Sequence, residues 1–194
     1  MKSNILRILC KYETMILTYK ECLQTYKTDY EIRKALLKGE LRRVSRGFYS
    51  NEPYDSELSV ISRMYPHAVF TRNSAFYYHG LTDDIPSSYY LMTDKDATKI
   101  NNKLVKQFYD NNNSLSLGVE KKEYDGTEIS IFNRERMLIE LIRNKNKLSF
   151  DYYKEIVASY RRIINELDIQ AVQDYAKWLP KTRLVMDTIQ MEIF

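Results

Sequence analysis

Apolar positions along the first fifty residues recur with a helical period and are broken by short polar turns. Ile5, Ile8, Leu9 and Tyr12 follow the i, i+3, i+4, i+7 spacing of one buried face, which predicts a helix over residues 3–12 with Ser3 as its cap. Met15-Ile16-Leu17 is a short apolar run before Thr18, a good N-cap for a second helix from Tyr19 to Tyr26. Lys27-Thr28-Asp29 is a polar turn, and Thr28 or Asp29 can cap a third helix that runs to Lys38 and stops at Gly39. On that third helix Ile32, Ala35 and Leu36 fall on one side, and Tyr30, Arg33 and Lys34 on the other. Leu37 lies near the polar face and is expected to pack on the segment that follows. Residues 40–50 read as two short strands joined by a turn at Ser45-Arg46-Gly47, with Gly47 supplying a positive φ.

Three helices followed by a small hairpin is the order of a winged helix-turn-helix. In such a module the second helix braces, the third enters the major groove, and the hairpin reaches phosphates or the adjacent minor groove. The residues then placed to touch DNA are Lys27, Thr28, Tyr30, Arg33 and Lys34 around the third helix, with Arg42, Arg43, Ser45 and Arg46 in the hairpin.

Charge supports the same segment. The chain has 194 residues and a net charge of +4. Residues 1–50 hold eleven basic side chains against five acidic ones, whereas residues 51–194 hold nineteen against twenty-one. A basic excess confined to one segment suits an acidic partner, nucleic acid being the usual one.

Asn51-Glu52-Pro53-Tyr54-Asp55 is a polar connector, so a domain boundary is expected there, between residues 1–52 and 56–194. Beyond it the pattern mixes both periods. Ser56 to Met64 and Thr71 to His79 read as helices, and His67 to Phe70, Ser88 to Thr93 and Leu104 to Tyr109 as strands. Asp125-Gly126 is the strongest hairpin signal and joins Val119–Tyr124 to Thr127–Phe132. Four amphipathic helices follow: Arg134 to Arg143, Asp151 to Glu166, Ile169 to Leu179, and Thr182 to Phe194 with Met186, Ile189 and Ile193 inward. The fold class expected is α+β, an N-terminal winged helix-turn-helix followed by a mixed α/β C-terminal domain that ends in several helices.

Hydrophobic residues make up 44% of the chain, and no apolar run reaches the length of a membrane span. The first residues carry charge within their apolar stretch and have no small-residue cleavage site, so no secretory leader is expected and the location expected is cytoplasmic. Cys10 and Cys22 have no CxxC spacing and read as small core residues.

Catalytic and metal-binding patterns are scarce. No phosphate-cradling glycine loop, nucleophile elbow or HExxH is present. His67 and His79 stand twelve residues apart without cysteine neighbours, and Asp83-Asp84 lacks further ligands nearby, so neither reads as a metal site. One constellation suits a metal-dependent nuclease: Glu120 and Lys122 on one strand face, with Asp94, Asp96 and Asp110 upstream. Glu-x-Lys is also common on solvated strand faces, so neither catalytic residues, metal nor cofactor are expected.

Several segments in order resemble one family. Lys38-Gly39-Glu40-Leu41-Arg42-Arg43-Val44-Ser45-Arg46-Gly47-Phe48-Tyr49 looks like the "G-x-L-x-R-V-x-R-G-x-Y" wing of AbiEi-type antitoxins. Asn73 to Thr82 resembles that family's "SAxxxHGLT" segment, and Tyr124 to Ile129 and Asn133 to Leu141 resemble its hairpin and following helix. The turn before the third helix here lacks a glycine, a departure from the family. The resemblance implies an abortive-infection toxin–antitoxin system of type IV. Such an antitoxin represses its own promoter, at inverted repeats, through the N-terminal domain. Its C-terminal domain counters a cognate nucleotidyltransferase-like toxin without a stable complex. The alternatives are a winged-helix regulator whose second domain senses a ligand or partner, and the nuclease.

Overall fold

The computed structural model describes residues 16–193, so the helix expected over residues 3–12 and Cys10 lie outside the described residues. The fold is α+β, with eight α-helices and two sheets among the described residues. The chain divides into two compact units between Pro66 and His67.

In the first unit β1 (Ile16–Thr18) leads into α1 (Tyr19–Tyr26). Thr18 caps α1 with a reciprocal pair: its hydroxyl accepts from the Glu21 amide at 3.3 Å, and Glu21 Oε2 accepts from the Thr18 amide at 2.7 Å. α2 (Asp29–Leu37) is capped by Thr28, and Leu36 and Lys34 carbonyls close its end. β2 (Arg42–Ser45) and β3 (Phe48–Ser50) form the expected hairpin, with a register shift between Arg43 and Ser45. The apolar run at Met15-Ile16-Leu17 proves to contain a strand. β1 lies antiparallel to β3, giving a three-stranded sheet of order β1-β3-β2. Cys22, Ile32, Ala35 and Leu41 form the core, covered by Leu17, Leu23, Tyr26, Leu36 and Tyr49.

The connector at residues 51–55 does not part the units. Asp55 is buried, accepts from the Ser50 hydroxyl at 2.9 Å and pairs with Arg42. α3 (Glu57–Met64) then packs on β1, and Arg63 ties it there by donating to the Ile16 carbonyl at 3.0 Å and pairing with Glu21. These bonds bring residues 53–66 into the first unit, so the division comes at Pro66 and not at Pro53.

The second unit is built on β4 (Val69–Phe70), β5 (Tyr89–Asp94), β6 (Val105–Asp110), β7 (Val119–Tyr124) and β8 (Thr127–Phe132), in the order β6-β5-β4-β8-β7. β4 is antiparallel to β5 and parallel to β8, β6 is parallel to β5, and β7 is antiparallel to β8. The Asp125-Gly126 signal is realised with φ of +48° and +71°, the positive pair that a tight two-residue hairpin requires. Gly118, before β7, has φ +72°, and a β carbon there would stand 2.8 Å from both Arg136 Cβ and Asn133 Oδ1.

The helices are α4 (Arg72–Tyr78), α5 (Arg134–Arg143), α6 (Phe150–Arg162), α7 (Ile169–Trp178) and α8 (Thr182–Glu192). Asn133 caps α5 by accepting from the Arg136 amide at 2.9 Å. α5 is buried from Arg136 to Ile142 and packs against α4, α7 and α8. On α8 the inward stripe is Val185, Ile189 and Ile193, with Met186 only half-buried, one position off the expected face. No described helix is long and apolar enough to cross a membrane.

Candidate nucleic-acid interface

The outward side of α2 is built by its period. Burying Ile32 and Ala35 leaves Tyr30, Arg33 and Lys34 exposed on the opposite side. Tyr30 is 70% exposed, and Lys34 lies 6.0 Å from its ring centroid and 3.8 Å from Glu31. Arg33 is exposed and belongs to no ion pair among the described residues. Leu37, expected to pack on the following segment, is instead 89% exposed. It stands at i+7 from Tyr30, and that spacing was the signal that it shares the outward face.

Lys27 and Thr28 serve the turn. Lys27 takes φ +66° at the end of α1, so a lysine fills a positive-φ position in a turn that has no glycine. The Thr28 hydroxyl accepts from the Glu31 amide at 3.3 Å, so capping occupies its oxygen.

In the hairpin the four expected residues separate. Arg43 and Arg46 are exposed and unpaired among the described residues. Arg42 is held by Asp55, and Ser45 is half-buried opposite Phe48. Arg42 thus braces the hairpin base while Arg43 and Arg46 keep free guanidinium groups.

Tyr19 links the two parts. Its amide donates to the Gly47 carbonyl at 2.8 Å, and its hydroxyl donates to Asp29 at the start of α2. That hydrogen bond to the Asp29 carboxylate raises the Tyr19 phenol above its ordinary value. The hairpin turn and the first turn of α2 therefore stand one tyrosine apart.

The nuclease constellation is not assembled. Asp94 and Asp110 are register partners on β5 and β6, and Glu120 and Lys122 lie on β7, the opposite edge of the sheet. Asp110 is used locally, accepting from the Ser114 hydroxyl at 3.0 Å and the Asn112 amide at 3.2 Å. Among the described residues no three His, Cys, Asp or Glu side chains converge where a cation would sit. His79 has a structural partner: a carbonyl only accepts, so its Nε2 carries the proton and donates to Phe132 O at 2.7 Å. Burial lowers this imidazole to about 4, opposed by that hydrogen bond and assisted by Lys122 and Arg134. Cys22 is buried and free, and desolvation pushes its thiol up, which makes it an inert core residue.

A scan against protein-family models finds no family that matches this chain, and a search of curated proteins finds no matching relative.

Proposed function

We propose that this chain is a DNA-binding repressor of its own promoter and the antitoxin of an abortive-infection toxin–antitoxin pair, acting in the cytoplasm. The observation that carries the DNA reading is the set of cations Arg33, Arg43 and Arg46, unpaired among the described residues, on α2 and on a hairpin whose turn is one tyrosine from that helix. Strand, helix, helix and hairpin, with the strand closing onto the hairpin, supports reading this unit as a winged helix-turn-helix. In that arrangement α2 lies in the major groove with Tyr30, Arg33, Lys34 and Leu37 toward the bases, and Arg43 and Arg46 meet phosphates or the minor groove. The antitoxin reading rests on the resemblance. Two of its segments, Asn73 to Thr82 and Asn133 to Leu141, fall on α4 and α5 of the second unit. The partners proposed are promoter DNA with inverted repeats and a nucleotidyltransferase-like toxin that is countered without a stable complex.

The test has two arms. Fluorescence anisotropy with the full chain should show tight binding to DNA from upstream of its own gene, falling steeply with salt as phosphate contacts release counterions. Equal affinity for random DNA of the same length would remove the repressor reading. Full-chain expression should rescue growth when the neighbouring toxin gene is driven from a foreign promoter. Unchanged killing would remove the antitoxin reading and leave the DNA reading standing.

A further inference from the structure

The second unit contains a cavity of about 300 Å³ lined by the start of α4, the end of α5 and the start of α6. That volume is at the lower end for small-molecule sites. Two polar atoms on its lining residues are buried without a hydrogen-bond partner: Arg72 Nε and the Tyr152 hydroxyl. Such atoms are rare in folded proteins, and two on the residues that line one cavity call for an explanation.

Arg72 is held there under strain. Its φ is +48°, a conformation sparsely populated by residues with a β carbon. Its guanidinium lies over the Phe108 ring at 4.0 Å, which fixes the plane of the fork. Glu140, the carboxylate whose charge reaches Arg72, is already committed. Its Oε1 accepts from Arg136 at 3.2 Å and Arg143 at 2.9 Å, and its Oε2 accepts from Asn144 at 3.1 Å. Burial lowers the Arg72 guanidinium below its ordinary value, and Glu140 opposes that from a distance. Lys147 adds a second cation, exposed and without an ion pair among the described residues.

An arginine Nε–H can only donate, so what it lacks is an acceptor, and beside a cation the acceptor that binds best is anionic. A tyrosine hydroxyl can donate to the same group. Phe76 and Tyr90 give the cavity an aromatic wall for the body of a ligand, and Asp84 on the lining disfavours a polyanion. We propose that this cavity binds a small molecule through a single oxyanion group, a carboxylate or a phosphate monoester, which accepts from Arg72 and Tyr152. Anion binding here is independent of the DNA binding proposed for the other unit.

The experiment uses the full chain labelled with ¹⁵N and follows the Arg72 Nε–H resonance, assigned by its loss in Arg72→Lys. Sodium phosphate and sodium acetate are titrated separately at constant ionic strength set with sodium chloride. The expected result is a saturable downfield shift with at least one of them, weakened roughly tenfold in Tyr152→Phe, which keeps the ring and so the packing. Saturation by phosphate alone assigns a phosphate monoester, by acetate alone a carboxylate, and by both the shared chemistry. No saturable shift with either, or equal affinity in Tyr152→Phe and the parent chain, overturns the proposal. Arg72→Lys, if folded, should lose binding in a thermal-shift titration with the same anions, because an ammonium does not reproduce the fork.

Discussion

Arg136 and Glu140 face each other one helical turn apart at 3.2 Å, with 1% and 5% of their side chains exposed. Arg136 also donates to the Ser114 hydroxyl at 3.3 Å and lies 5.0 Å from the Phe132 ring, while Glu140 additionally holds Arg143. Removing one partner leaves the other charge buried, which costs about 3–5 kcal/mol. Glu140→Leu alone is therefore expected to destabilise by about 3 kcal/mol or more. The double variant Arg136→Met/Glu140→Leu should cost clearly less than the sum of the singles. Urea denaturation of the three proteins checks this, and strict additivity would mean that the pair is not energetically coupled.

Arg33 and Arg46 should differ in kind. Arg33→Ala is expected to relax sequence preference, since a bidentate guanine contact gives about 1–3 kcal/mol of discrimination. Arg46→Ala is expected to weaken all sequences similarly and to flatten the log–log salt slope by about 0.9. Salt titrations against operator and random duplexes separate the two. A pure loss of operator preference in Arg46→Ala would reverse the assignment.

Much of the fold was legible because its signals are local. The caps at Thr18 and Thr28 and the Asp125-Gly126 turn each act within a few residues, and the structure uses all three. What the pattern missed depends on partners far along the chain. Three residues, Ile16 to Thr18, have no readable period, and they form a strand because Phe48 to Ser50 pairs with them. The connector around Pro53 has a linker's composition, yet Asp55 and Arg63 bind backward into the first unit. The apolar stripe of α5 was readable, but charged Arg136 and Glu140 beneath it were not, because only tertiary contacts reveal their partners. At the candidate interface, side-chain identity does not show that Arg42 is spent on Asp55 while Arg43 is free.

Gly118→Ala is expected to cost about 3 kcal/mol, combining a left-handed backbone with a β carbon inside the contact distance of Arg136 Cβ and Asn133 Oδ1. Both neighbouring atoms belong to the cap of α5, so the clash cannot be relieved by a flexible side-chain tip. Thermal unfolding should show a lower midpoint, and an unchanged midpoint would mean that the cap shifts freely.

His79 makes stability depend on pH. Its folded value, about 4, lies below the ordinary 6.5, so between these values the unfolded chain binds more protons than the folded one. Stability is then complete above pH 6.5 and falls as the pH drops toward 4. The loss between pH 7 and pH 5 from this residue is about 2 kcal/mol. His79→Gln should lack that part of the slope in urea titrations at the two pH values. An identical slope in both proteins would show that other groups carry it.

The placement of β4 bears on the order in which the chain acquires its structure. β4 is two residues long and central, yet Phe70 pairs in parallel with Ile131, roughly sixty positions later in the chain. Closing so long a loop is slow, and until β8 arrives one side of β4 is an open edge. The first unit, complete by Pro66, has no such wait. During synthesis the N-terminal unit can fold while the second sheet is still half-made, and it is the second unit whose nascent chains are exposed to aggregation and to proteases.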